Sequence, residues 1–182
     1  MRYFLDTEFI ENGGEIDLIT IGIVSEDYRE LYLGHRDCKF FNASDWVKEN
    51  VLKDLEGMKD DLQELNRNHD RLFWLSKKAI AKEIIDFIGD DEPEFWGYYC
   101  ATDWVVFYQI FGPLVDIPDN FPFYCNDIKQ LHDYVNNPPF PDSLKGGQHN
   151  ALLGARWNKG AFEYIEMVDF AERSKALRER GV

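Results

Sequence analysis

The stretch "RYFLDTEF" near the N-terminus carries two acids, Asp6 and Glu8, separated by one residue. On a strand such residues project from one face, with Thr7 turned to the other. Two carboxylates side by side repel, and burial without a partner holds one of them protonated. A divalent cation resolves that conflict, and hard oxygen ligands suit Mg²⁺ or Mn²⁺. For the pair taken alone, a solvated strand end is the simpler alternative. A third acid, Asp103, follows the aromatic stretch "EFWGYYCA" where an expected strand gives way to an expected helix. Sheets flanked by helices place their sites at such junctions, although one Asp in a first helical turn also suits the helix dipole. Late in the chain, "QHNALLGARWN" (148–158) sets His149 at the opening of an expected helix and Gly154 inside it. Imidazole titrates near neutral pH and suits proton transfer, while a lone His in that place otherwise reads as a cap or loop residue. Glycine in a helix interior costs about 1 kcal/mol relative to alanine, with no evident contact in return.

The intervening sequence supplies elements able to position these residues. Short apolar or alternating runs at 2–6, 15–25 and 29–34 predict three strands joined by tight turns. A helix is expected over 42–55, followed by a strongly charged, solvated stretch over 56–72. An amphipathic helix over 74–89 ends at Gly89, and a strand over 93–100 leads into a helix over 102–112 capped by Thr102. A strand over 121–127 and a helix over 128–135 follow. The Pro- and Gly-rich stretch 136–147 reads as a loop. Two helices are expected to close the chain, around 149–158 and 160–179, with a break at Gly160. This order describes a mixed, partly antiparallel α/β sheet flanked by helices, in one domain over 1–182.

Bulk properties narrow the function. The chain has 182 residues, enough for one sizeable core, and 45% are apolar. No run approaches the length of a membrane span, and acids interrupt the N-terminal segment where a signal peptide would be apolar. A soluble, cytoplasmic protein is expected. Cys38, Cys100 and Cys125 show no paired spacing and read as reduced thiols. The net charge of −14 argues against a broad electrostatic grip on duplex nucleic acid. It leaves open a site where acids hold cations and the cations meet phosphates.

The order of "DTEF", "ATDW" and "HNALLGAR" resembles the three exonuclease motifs of the DEDD superfamily in its histidine variety. That group includes ribonuclease T, oligoribonuclease and the proofreading subunit of the bacterial replicase. The wider text looks most like a small bacterial and phage group of ribonuclease T-like 3′-5′ exoribonucleases, from residue 6 to about 157. The resemblance implies a ribonuclease H-like sheet and two-metal phosphodiester hydrolysis, with Mg²⁺ or Mn²⁺ ions about 3.5–4 Å apart. It implies that Asp6 bridges the ions, Glu8 binds the ion beside the nucleophile, Asp103 acts through waters, and His149 is the general base. Single-stranded RNA or an RNA 3′ overhang would be the substrate, a nucleoside monophosphate the product, and a homodimer the assembly.

The sequence departs from that pattern at one place. The third motif is His, any residue, Ala, two residues, then a metal-binding Asp, and Gly154 stands in the last place. No neighbouring acid substitutes, since Glu163 lies more than two turns further on. Reduced ion occupancy and reduced turnover are expected. Two explanations compete: an Asp→Gly change in an active exoribonuclease, or a non-catalytic relative that keeps the pocket to bind RNA or a nucleotide. A DNA 3′-5′ exonuclease of proofreading type is a further alternative.

For substrate handling, Phe9 beside Glu8 and Trp104 beside Asp103 are candidates to stack on terminal bases, with a core role equally open to Trp104. Arg156, Lys159 and Lys145 are candidates for phosphate contact, or solvated charges. His35, His69 and His132 read as structural. The basic C-terminal stretch 171–182 reads as an RNA contact or a solubilising face.

Overall fold

The computed structural model describes residues 1–53, 55, 72–144 and 149–179. Nearly all of the charged stretch 56–72, with His69, lies outside them, as do Lys145 and residues 180–182. The N-terminal runs form three antiparallel strands: β1 (Arg2–Glu11), β2 (Ile16–Ser25) and β3 (Glu30–His35). β1 outlasts its apolar run, because Asp6 to Glu11 go on pairing with β2 through a register shift between Glu8 and Phe9. Segment 42–55 is less regular than expected. A short α1 (Asp45–Val47), capped by Ser44, passes into a π turn over Lys48–Leu52.

β4 (Phe73–Leu75) pairs parallel to β3, where a helix beginning at 74 was expected. The helix starts three residues later, because Ser76 caps it by accepting the Ala79 N–H. This is α2 (Lys77–Ile88). β5 (Glu94–Gly97) joins β1 in parallel, followed by α3 (Ala101–Phe111), β6 (Asn126–Asp127) and α4 (Ile128–Tyr134). Cys100 rather than Thr102 precedes α3. β6 keeps two of the seven residues expected for it and pairs parallel to β5. The sheet order is β4-β3-β2-β1-β5-β6.

Each face of the sheet buries apolar side chains. On one side Ile80, Ile84 and Ile88 of α2 and Val106, Phe107 and Ile110 of α3 cover Tyr3, Leu5, Ile21, Ile23 and Leu33. Their spacing of three and four residues gives each helix one apolar face. The other side is covered by α5 (Ala151–Glu179), one continuous helix of 29 residues rather than the expected pair. Gly160 does not break it. A single glycine costs far less than the packing of Ala155, Ala161, Phe162 and Ile165 returns.

Small residues let α5 lie close to the sheet. Gly22 in β2 faces its first turn, and a Cβ there would fall 2.5 Å from the Leu152 Cα. Gly22→Ala is therefore expected to destabilise the protein by about 3 kcal/mol, lowering Tm by roughly 10 °C. Thermal denaturation followed by circular dichroism checks this.

Candidate active site

The cleft opens where β1 parts from β5. The two strands pair only from Arg2 to Phe4 of β1. Beyond that point β1 offers backbone groups that β5 does not take. The Leu5 carbonyl accepts the Asn158 Nδ2–H at 2.7 Å, tying α5 to the strand. The Thr7 N–H donates to Asp103 Oδ1 at 3.0 Å, and the Thr7 hydroxyl donates to the same oxygen at 2.6 Å. Thr7 points away from Asp6 and Glu8, as the strand period requires, and so fixes the third acid from the other side of the sheet.

Asp6, Glu8, Phe9, Asp103, His149 and Gly154 all line one cleft of about 960 Å³. Four of the anticipated catalytic residues are thus drawn together from β1, α3 and the approach to α5. Asp6 and Glu8 are partly buried, and among the described residues neither has a side-chain hydrogen bond or ion pair. No Lys or Arg is among the described residues of the lining. Burial pushes the Asp6 carboxyl well above its ordinary value, and the charges of Asp103 and Glu8 add to this. Burial likewise pushes Glu8 up to about 8, with help from Asp103. Asp103 is raised by burial, against the lowering effect of its Thr7 hydrogen bonds. Three acids thus share one low-dielectric space with no positive partner in the described lining.

Gly154 has a reason that the sequence did not reveal. A Cβ at this position would lie 2.5 Å from Asp6 Cγ and 3.0 Å from Asp6 Cβ, closer still to the carboxylate oxygen. The Asp6 carboxylate occupies the volume that a side chain at 154 would fill. Among the described residues, no three His, Cys, Asp or Glu side chains are grouped tightly enough to hold a metal ion. The Asp6 carboxylate lies against Gly154, and Asp103 is held by Thr7.

His149 is exposed at the cleft edge, with its ring edge-on to Trp46 at 4.7 Å between centroids. Asn150 caps α5, its Oδ1 accepting the N–H groups of Leu152 and Leu153 at 3.1 Å. The helix start that carries His149 is therefore fixed.

Several sequence-based candidates lie elsewhere. Trp104 is not in the cleft lining. Its ring stacks on Phe107 at 4.9 Å and 6° and meets Phe95 at 5.3 Å, as part of the core. Arg156 forms a paired contact with Glu30, Nε to Oε1 at 2.8 Å and Nη2 to Oε2 at 2.7 Å. Lys159 is buried, paired with Glu163, and lies 4.0 Å from the Tyr28 ring centre. The two structural histidines that are described are buried: His35 beside Asp17, and His132 stacked on Phe140.

In their place the cleft presents Tyr98, Tyr99 and Trp157. Trp157 was missed in the sequence, although Leu153 and Trp157 stand four residues apart and share one face of α5. Nothing marked the tyrosines, which the sequence placed inside a strand that in fact ends at Gly97.

The architecture defines the class: a ribonuclease H-like α/β fold with an acidic cleft where β1 parts from β5. The model of the Rv2179c-like 3′-5′ exoribonuclease domain matches residues 1–166, and the chain belongs to that family. Two relatives from Mycobacterium tuberculosis strains, the 3′-5′ exoribonucleases Rv2179c and MT2234.1, are each 34% identical to it over 179 residues. That alignment spans 97% of this chain and 99% of each relative. The catalytic unit of Neurospora crassa Pan2, comprising protease and nuclease domains, shares the fold at a TM-score of 0.50 and 13% identity. The match covers 98% of this chain and 29% of that structure. Among the described residues, no helix is long and apolar enough to cross a membrane.

Proposed function

We propose that this chain trims RNA from the 3′ end as a metal-dependent exoribonuclease of the DEDD histidine variety, with turnover lowered by Gly154. The observation that carries the reading is the set of Asp6, Glu8 and Asp103 in one cleft, raised in pKa and lacking a cationic partner in its described lining. The carboxylate oxygens are the kind of donor that hard divalent cations take. The side chains, not grouped tightly enough as they stand, would have to close on the ion, Asp6 by moving off Gly154. Binding of such an ion also explains why so costly an arrangement of acids persists in the fold. The family and the two 34%-identical relatives supply the reaction class.

Asp6 and Glu8 would hold Mg²⁺ or Mn²⁺ directly, and Asp103, already engaged by Thr7, would reach it through water. The bound ions supply charge stabilisation for the phosphoryl oxygens and for the departing 3′ oxygen. His149 takes the proton of the attacking water on a ring nitrogen, and its exposed position lets it pass that proton to solvent. Gly154 removes the fourth carboxylate and lets Asp6 fall back onto α5. The same contact favours a second reading, a non-catalytic RNA-binding relative.

The test is a 5′-labelled single-stranded RNA of twenty nucleotides incubated with Mn²⁺. A slow ladder shortened from the 3′ end, with release of nucleoside 5′-monophosphates and loss of activity in Asp6→Asn, supports the enzyme. RNA binding without any shortening supports the binder. Equal trimming of the matching DNA points to the proofreading-type exonuclease.

A further inference from the structure

Thr20 is out of place in the interior of β2. It is fully buried, between two isoleucines, Ile19 and Ile21, that are buried as completely. Among the described residues its hydroxyl has no hydrogen-bond partner. A buried polar group left unpaired costs free energy, and a valine would fill the same space without that cost. An orphan of this kind calls for a reason.

The register of the sheet shows what the hydroxyl stands next to. Thr20 pairs with Glu8 across β1 and β2, and directly opposite residues of an antiparallel pair project from one face. The Cβ atoms of such a pair lie about 5 Å apart, well within reach of a glutamate side chain. On its other flank Thr20 pairs with Gly34 of β3, where a Cβ would fall 2.5 Å from the Trp74 ring. Of its two cross-strand neighbours only Glu8 carries a polar side chain. The pairing shifts immediately beyond, where Phe9 meets Leu18 and Ile19 is the extra residue of a bulge. Bulges beside active sites re-aim side chains, and this one adjoins the Glu8–Thr20 pair. Thr20 is not part of the cleft lining, so its hydroxyl lies behind the acids.

The other face of β1 carries the same pairing of residue types in finished form. There the Thr7 hydroxyl donates to Asp103 Oδ1 at 2.6 Å and fixes that acid. The threonine opposite Glu8 has made no such bond.

We infer that Thr20 is a positioning residue for Glu8, its hydroxyl donating to the carboxylate when Glu8 turns to hold a divalent cation. The inference rests on the reading of Glu8 as a cation ligand. It gives the buried hydroxyl a partner that forms on cation binding. It also makes Thr20 a determinant of ion affinity that touches neither ion nor RNA.

The test reads ion binding apart from turnover. Thr20→Val keeps the shape and removes the donor, while Thr20→Ser keeps the donor and removes a methyl group. Isothermal titration measures Mn²⁺ affinity for both variants and the wild type, and melting curves in EDTA report the fold. Thr20→Val is expected to bind Mn²⁺ about tenfold more weakly, the lower end of what an outer partner of a metal ligand contributes. It should melt no lower than the wild type in EDTA, since it sheds an unpaired hydroxyl. Thr20→Ser should restore the wild-type affinity. Wild-type affinity in Thr20→Val, or equal weakening in both variants, overturns the positioning role and leaves the cation site standing. A Thr20→Val protein that melts well below the wild type in EDTA overturns it too, since the hydroxyl then serves the fold without the ion. If the wild type takes up no Mn²⁺, the cation site and the positioning role fail together.

Discussion

Gly154→Asp is expected to raise Mn²⁺-dependent trimming of single-stranded RNA by about a hundredfold or more over the wild-type chain. Loss of groups that merely support a metal ligand lowers activity by about 10–100-fold, and a ligand matters at least as much. The structure adds a steric half to this expectation. The new Cβ would lie 2.5 Å from Asp6 Cγ, so the Asp6 carboxylate must swing off α5 and towards the cleft. The substitution thus adds one donor and repositions another. Gly154→Ala separates the two effects, since it displaces Asp6 without supplying a carboxylate, and it is expected to leave turnover near the wild-type level. The two variants should also differ in stability. In EDTA, Gly154→Asp adds a further charge to an already repulsive cluster and should melt below the wild type. In millimolar Mn²⁺ it should melt above it. Initial rates on a 5′-labelled oligomer and melting curves with and without Mn²⁺ check both halves.

The second large effect is a separation of stability from activity at Glu8. Its carboxyl titrates near 4.5 in the unfolded chain and is pushed up to about 8 in the fold. Between those values the folded protein keeps a proton that the unfolded chain has released. Without divalent cations, stability should therefore fall as pH rises from about 5 to about 8, then level off above the folded pKa. Glu8→Gln keeps the shape and cannot ionise. It is expected to flatten that slope and to melt several degrees above the wild type at pH 8.5 in EDTA. In the Gly154→Asp background the same change should cost activity on the order of a thousandfold, as loss of a central catalytic group does. Melting curves across pH and rate measurements on the paired variants provide the readouts. A Glu8→Gln protein with an unaltered pH slope would mean that the carboxylate is better solvated than its place in the cleft suggests.

The parts of the site that were legible in the sequence follow from local rules. The two-residue period of a strand put Asp6 and Glu8 on one face and Thr7 on the other, and a strand-to-helix junction marked Asp103. What escaped the sequence depended on long-range partners. Trp104 is adjacent to Asp103 in the text, but one helical residue turns about 100°, which carries its ring to Phe95 and Phe107 and away from the acids. Arg156 finds Glu30, 126 residues away, and no local pattern announces that pair. The continuity of α5 through Gly160 comes from the sheet beneath it, which outweighs a weak local preference to break. β4 is three residues long, too short to show an alternation, and sits against the start of a helix. Gly154 was visible as an anomaly, while its explanation, the Asp6 carboxylate lying over it, required both strand and helix in place.

The central claim is that the carboxylates of Asp6 and Glu8 form a divalent-cation site. Isothermal titration of Mn²⁺ into the wild-type protein at pH 8, compared with Asp6→Asn and Glu8→Gln, tests it most directly. Saturable binding in the wild type, tightened by Gly154→Asp and abolished in both neutralised variants, is the predicted result. Binding that survives in both variants, or that is absent even in Gly154→Asp, would contradict it.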